Sequence, residues 1–130
     1  MTIVAHPQSA LSVPVPLTVP EGVELLDTLT LADFVDAGGD ARPCQQTDDP
    51  EDYFPLVGAK VPKVDGERYI EEQHRARGLC KGCPVSAECL ELALRTRAGR
   101  HGVWGGSSEW ERITIRTARL AAARAAKAAV

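Results

Sequence analysis

Residues 80–90 read Cys80-Lys81-Gly82-Cys83-Pro84-Val85-Ser86-Ala87-Glu88-Cys89-Leu90, which places three thiols within ten positions. The fourth cysteine, Cys44, stands alone with 35 residues between it and Cys80. Pro84 suits the start of a helix, where its missing N–H is not needed, and Val85, Cys89, Leu92 and Ala93 recur at helical spacing. A helix is therefore expected from about Pro84 to Thr96. Arg95 and Arg97 in its last turn complement the negative helix end, and Gly99 terminates it. A Cys-x-x-Cys pair in the turn before a helix feels the positive helix end. That favours thiolate, so the thiol pKa is expected to fall from about 8.5 toward neutrality. Cys89, about a turn and a half into the helix, faces back toward the same centre. Arg75, Arg77 and Lys81 either offset the charge of four thiolates or are plain surface cations.

Three chemistries compete for four thiolates: tetrahedral zinc, an iron–sulfur cluster and a redox-active dithiol. Structural zinc commonly takes two close pairs. Here one close pair is followed by a five-residue step and a distant single thiol, a scatter that favours the wider iron–sulfur group without deciding the matter. Four unconnected cysteines buried as small hydrophobes remain the bland alternative. His74 and His101 are available as zinc ligands in place of a thiol, although a lone histidine is more often simply exposed.

The 130 residues are 44% hydrophobic and 25% charged, the composition of one ordinary domain with tails. Aromatics make up only 5%, and much of the hydrophobic share is alanine near the C-terminus, so a large self-sufficient core is not expected. The net charge of −3 conceals a gradient: residues 1–74 carry fourteen acids against four bases, and residues 95–130 two against eight. A basic rear suggests an anionic partner, with a solvated arginine-studded helix as the plain alternative. No Lys or Arg precedes Arg42, and Pro7, Pro14, Pro16 and Pro20 interrupt the uncharged N-terminal stretch, so neither a secretory signal nor a membrane span is expected. The reading is a cytoplasmic chain, where four cysteines serve better as metal ligands or redox thiols than as disulfides.

Around the cysteines the chain reads as a handful of short helices with no trusted strand pattern. Residues 1–24, rich in Pro, Ser, Thr and Val, form a disordered or extended arm. Asp27 to Asp36 is a short amphipathic helix stopped at Gly38-Gly39. Asp40 to Lys63, with Pro43, Pro50, Pro55 and Pro62, is mostly loop with one helical turn near Glu51 to Phe54. Asp65 to Arg77 is a helix halting at Gly78. Ser108-x-x-Glu111 is a capping box opening a last helix, with Trp110, Ile113, Thr117, Leu120 and Ala121 on one apolar stripe. Gly102, Gly105 and Gly106 permit positive φ and close backbone approach, and so hold Trp104 on a rigid turn. There it serves as an interface anchor, a lid over the cysteine site, or both. Trp110 reads as packing.

Cys44, the Asp49-Pro50-Glu51-x-x-Phe54-Pro55 segment, the Cys80–Leu90 run and Gly102-Val103-Trp104-Gly105-Gly106 occur in the order found in the WhiB-like family of transcription regulators. The chain resembles that family over about residues 42–112. The resemblance implies an all-α fold, a small bundle of short helices around a 4Fe-4S cluster on Cys44, Cys80, Cys83 and Cys89. It further implies binding to the primary sigma factor, with response to oxygen or nitric oxide through the cluster. The division that follows is a 1–24 arm, a 25–112 iron–sulfur domain and a 113–130 basic helix or tail. Phe54, Pro55, Gly102, Trp104, Gly105 and Gly106 are the candidate partner-binding residues. Two departures stand out: the aromatic pair is Tyr53-Phe54, and no Arg-Gly-Arg hook for the minor groove follows. Arg112, Arg116, Arg119, Arg124 and Lys127 lie spread on the Ala-rich helix instead, so contact with promoter DNA is expected to be to phosphate and weakly sequence-specific.

No paired carboxylates, Ser–His–Asp arrangement or phosphate-cradling glycine loop argues for an enzyme or a small-molecule substrate. A thiol–disulfide oxidoreductase using Cys80 and Cys83 in a cluster-free form is one alternative, weakened by Pro84 and by the missing βαβ pattern. A zinc-binding adaptor is the other. The acids Asp48, Asp49, Glu51 and Asp52 read as a solvated loop, or as a surface steering a basic face of the sigma factor.

Overall fold

The computed structural model describes residues 12–54 and 66–129. Five α-helices occur among them: α1 Glu21–Glu24, α2 Thr28–Gly38, α3 Glu67–Leu79, α4 Ser86–Arg95 and α5 Glu109–Ala128. Short 3₁₀ turns at Gly39–Ala41, Pro43–Gln45, Pro50–Tyr53 and Ala98–Arg100 connect them. No strand forms among the described residues beyond an isolated bridge between Trp104 and Ser107, so the fold is all-α as expected.

Local chemistry explains most of the boundaries. Asp27 caps α2 by accepting the Thr30 N–H at 2.7 Å, a bond that also holds its carboxyl below the ordinary pKa. Gly39, at φ 48°, ends the same helix. The proline-rich segment becomes 3₁₀ turns, two of which open on a proline whose missing N–H costs nothing there. Helix α3 runs through Gly78 to Leu79, one residue past the expected stop, and α4 starts at Ser86 because Pro84 and Val85 are spent in a turn. Pro55 and residues 1–11 lie outside the described residues. Residues 12–20 carry no helix, but 21–24 of the expected arm form α1.

Helix α2 packs chiefly on α4, bringing Leu31 and Val35 into the core with Leu90 and Ala93. Tyr69 of α3 stacks on Trp110 of α5 with ring centroids 6.3 Å apart, and the Arg68 guanidinium lies over the indole. Ten apolar side chains are buried among the described residues, a thin core, and Glu91, Glu111 and Arg112 are buried beside them. Polar junctions therefore join the helices. Glu91 of α4 takes Arg95 and Arg119, each at 2.7 Å, and Glu111 of α5 takes Arg77 of α3 at 2.6 Å. Burial pushes the Glu91 carboxyl up, but the hydrogen bonds from Arg119 and Arg95 outweigh it and leave the pKa lowered.

The last helix corrects the expected apolar stripe. Trp110 is buried, but Ile113 and Leu120 are exposed, and the inward face is formed by Arg112, Arg116 and Arg119. The reason lies in what α5 meets: the Glu91 carboxylate, the C-terminal carbonyls of α4 and the turns after it, all acceptors that require donors. Arg116 donates to the Ala93, Leu94 and Gly99 carbonyls. The helix is unbroken through residues 112 and 113, and residues 121–129 are exposed throughout.

Candidate metal centre

Two helices and two turns deliver the four cysteines. Cys44 lies exposed in the Pro43–Gln45 turn. Cys80 is the C-cap of α3, and the Cys83 N–H returns to the Cys80 carbonyl at 3.0 Å across the turn through Gly82, which has φ 80°. Cys89 sits in the first turns of α4, its N–H bonded to the Val85 carbonyl at 2.9 Å. Tyr53 closes the distance in sequence: its hydroxyl donates to the Leu79 carbonyl at 2.8 Å, tying the Cys44 segment to the end of α3 beside Cys80. Burial and the thiols of Cys80, Cys44 and Cys83 together raise the Tyr53 pKa, so the phenol stays protonated as that donor.

The four thiols are free and lie within electrostatic reach of one another. Burial raises the Cys80 pKa and pushes Cys89 up to about 12, and each of the other thiols adds to the rise at Cys89. At Cys80 this overturns the expectation of a depressed thiol pKa: desolvation, with the other sulfurs adding to it, outweighs the helix end. Cys80 and Cys89 thus resist ionisation while only other thiols surround them, and a cationic centre removes the objection. The donor set therefore fits a thiolate-bound metal group. Among the described residues no three Cys, His, Asp or Glu side chains converge at single-ion distances. An open cavity of about 430 Å³, lined by Cys44, Cys89, Tyr53, Phe54, Val103 and Trp104, adjoins the cysteines.

The glycine turn faces the sulfurs. Gly105 and Gly106 have φ 56° and 76°, as the two central residues of a type I′ turn require, and the Trp104 and Ser107 main chains bond to each other across them. Their N–H groups are directed at Cys89 and Cys80 respectively and partly offset the rise in both thiol pKa values. Gly102, at φ 78°, lies so close to the chain at Tyr53 that a Cβ there would stand 2.7 Å from the Tyr53 carbonyl oxygen. The Val103 N–H takes that same oxygen at 2.6 Å. The turn thus binds the Cys44 side and the Cys80–Cys89 side together. Trp104 is half-buried at the cavity with its Nε1–H on the His101 carbonyl, while Phe54 is largely exposed on the cavity wall.

The structure separates the five basic candidates for DNA contact. Arg112 has no exposed surface. Its Nε–H goes to the Gly99 carbonyl, one amino group to Ser107 and the other to the Gly102 carbonyl. Burial lowers its pKa to about 10, with Arg116 adding to the fall, so it is still a cation at neutral pH. Arg116 and Arg119 are committed to α4, and Arg124 and Lys127 are exposed on the last turns of α5. Arg112, expected at phosphate, is thus closed off from it, whereas Arg116 and Arg119 are partly exposed and bonded to α4. Sequence reading also missed Tyr53 as a tether and Arg77 as a clamp on the Gly106 carbonyl. The Glu111 of the capping box was a legible signal for the second, since it turns to Arg77 while the Ser108 side chain still caps the helix.

A family model for the transcription factor WhiB matches residues 40–115. The transcriptional regulator WhiB2 of Mycobacterium tuberculosis is 36% identical over 98 residues, covering 75% of this chain and 94% of the relative. WhiB of Streptomyces coelicolor is 39% identical over 77 residues, 59% of this chain and 72% of the relative, and WhiB1 of M. tuberculosis is 42% identical over 69 residues, 53% and 73%. No solved structure matches. These relatives are named as regulators, in keeping with a protein that is not an enzyme, and no described helix is long and apolar enough to cross a membrane. The matched span holds all four cysteines and the glycine turn that faces them, and the chain belongs to the WhiB family of transcription regulators.

Proposed function

We propose that this regulator holds one 4Fe-4S cluster on Cys44, Cys80, Cys83 and Cys89, responds through it to oxygen or nitric oxide, and acts in the cytoplasm by binding the primary sigma factor. One observation carries the reading: a single turn directs the Gly105 and Gly106 amides at two of the sulfurs and presents Trp104 at the cavity lined by Cys44 and Cys89. When bound, the cluster supplies an iron centre sensitive to oxidation and nitrosylation. The chain supplies the rest. Thiolates are stronger acceptors than thiols, so the Gly105 and Gly106 amides hold the turn most firmly when Cys89 and Cys80 are ionised. Release of those sulfurs as neutral thiols loosens the turn, and with it the surface formed by Trp104 and Phe54.

Asp36 lines the cavity beside Arg42, and Asp49, Glu51 and Asp52 lie at the Pro50–Tyr53 turn next to Phe54, a set that suits a basic partner face. Promoter DNA meets the exposed Arg124 and Lys127 through phosphate alone. A disulfide oxidoreductase fits less well, because burial raises the Cys80 pKa where an attacking thiol needs it lowered. The test is purification without oxygen, followed by iron and sulfide analysis and co-purification with the sigma factor. The intact protein is expected to be coloured and to retain the partner, and Cys44→Ser and Trp104→Ala to lose it. A colourless protein free of iron, or stoichiometric zinc, overturns the cluster. Partner binding that survives both substitutions overturns the mechanism.

A further inference from the structure

The Gly106 peptide unit is gripped from both sides of the turn. Its N–H is directed at Cys80, and its carbonyl accepts from Arg77 Nη1 at 2.6 Å. Arg77 precedes Cys80 by three residues at the end of α3, so guanidinium and thiol share one face. The remaining Nη donors of that fork are committed. Nη1 also meets Glu111 Oε1 at 2.6 Å, and Nη2 meets Oε2 at 2.8 Å and the Val15 carbonyl at 3.1 Å. The nearby Ser12 carbonyl accepts from His74 at 2.7 Å, so residues 12–15 lie across the outer edge of the same junction. The other buried pair system, Glu91 with Arg95 and Arg119, bonds to no residue of the 102–107 turn.

We propose that Arg77 is the positioning residue of the cysteine site: by fixing the Gly106 carbonyl it aims the neighbouring amides at the sulfurs and keeps Trp104 at the cavity, with Glu111 and the residue 12–15 segment locking the guanidinium in place. The inference rests on the four cysteines being the metal-holding set, and it assigns to Arg77 the coupling between that set and the partner-facing turn. Lysine cannot replace it, because one ammonium cannot present the planar fork that serves Gly106 and both Glu111 oxygens together.

The test compares the full-length chain with Arg77→Lys and Arg77→Gln, and uses Glu91→Gln as an ion-pair loss remote from the turn. Amide hydrogen exchange is read first on cluster-free protein. Arg77→Gln is expected to speed exchange in residues 103–107 about tenfold, the loss of roughly one hydrogen bond, with α2 and the middle of α4 unchanged. Arg77→Lys is expected to rescue little of it. Glu91→Gln is expected to loosen α4 and α5 and leave the turn alone. In iron-loaded protein, deuteration shifts the metal–sulfur vibrations through N–H···S bonds, and that shift is expected to shrink in both Arg77 variants but not in Glu91→Gln. Unchanged exchange in the turn, or a uniform rise shared by Arg77→Gln and Glu91→Gln, overturns the proposal. A wild-type chain that takes up no iron overturns the proposed function instead, and the exchange comparison, which needs no metal, still decides on Arg77.

Discussion

Replacing Arg112 by alanine separates two readings of the basic C-terminal region. Arg112 is fully buried, and its guanidinium serves the carbonyls of Gly99, Gly102 and Ser107 and the Ser107 hydroxyl. Truncation removes four hydrogen bonds: the Gly102 carbonyl loses its donor, while the Gly99 carbonyl keeps Arg116, the Ser107 carbonyl keeps the Trp104 N–H and the Ser107 hydroxyl still donates to Trp104. One buried carbonyl left unpaired costs about 1–3 kcal/mol and each of the other lost bonds about 0.5–1.5, so the total comes to about 3–5 kcal/mol. Small domains have only about 5–15 kcal/mol in hand, so the variant should be marginally folded. Urea unfolding at matched metal content measures this as a lowered midpoint with nearly unchanged slope. Arg112→Lys should recover part of the loss, and Arg124→Ala, at an exposed position, should stay within about 0.5 kcal/mol of the parent. If Arg112→Ala instead unfolds like the parent while the salt dependence of DNA binding weakens by about one phosphate, Arg112 is a nucleic-acid contact and the buried assignment is refuted.

Glu91→Gln should cost about 2 kcal/mol at neutral pH, because two arginines lose their anion. The folded Glu91 pKa is lowered, so its stabilisation is present above the unfolded value of about 4.3 and is lost as pH falls through the folded pKa. Unfolding measured from pH 6 down to about pH 3 should therefore be less acid-sensitive in the variant, and an unchanged acid limb counts against the pairing. Gly102→Ala combines positive φ with a Cβ against the Tyr53 carbonyl, and should cost about 2–4 kcal/mol in thermal unfolding and weaken partner capture. Any DNA affinity should show a shallow dependence on salt, a logarithmic slope near −2 for two phosphate contacts, since only Arg124 and Lys127 of the five basic residues are free. A slope near −5 in fluorescence anisotropy would mean that all five reach the backbone.

The helices were legible because their signals are local. Asp27 before an amphipathic run, glycine after it, and Ser108 before Glu111 specify capping geometry within a few residues, and α2 and α5 start where those residues put them. The inward face of α5 was not legible for the opposite reason. Apolar periodicity predicts burial when the facing surface is apolar, but α5 faces the carbonyls at the end of α4 and the Glu91 carboxylate, and nothing in residues 109–128 announces that. Arginine at positions 112, 116 and 119 has the spacing of a buried stripe, yet its chemistry reads as surface. That the four cysteines gather in one region was legible from spacing and resemblance. The thiol pKa shift was not, since it depends on how deeply Cys80 and Cys89 are desolvated, and that is a tertiary quantity.

Four of the arginines share a habit that bears on the site. Arg77, Arg95, Arg112 and Arg116 each donate to main-chain carbonyls at helix ends or in turns, so what they fix is the path of the connecting chain. With ten buried apolar side chains among the described residues the helices alone specify their mutual placement weakly, whereas the turns at Gly99–Gly106 are held from two helices at once, α3 and α5. The same economy explains where the cysteines sit. Cys44, Cys80 and Cys83 lie in turns and only Cys89 lies within a helix, so a group that binds all four would close the long loop between Cys44 and Cys80 at the points where the packed core constrains the chain least. Tyr53 already spans that gap with one hydrogen bond, which draws the ligands together before any metal adds its own, much larger, binding energy. A fold built this way lets a change confined to sulfur chemistry reach Trp104 through two peptide units, with no helix having to move.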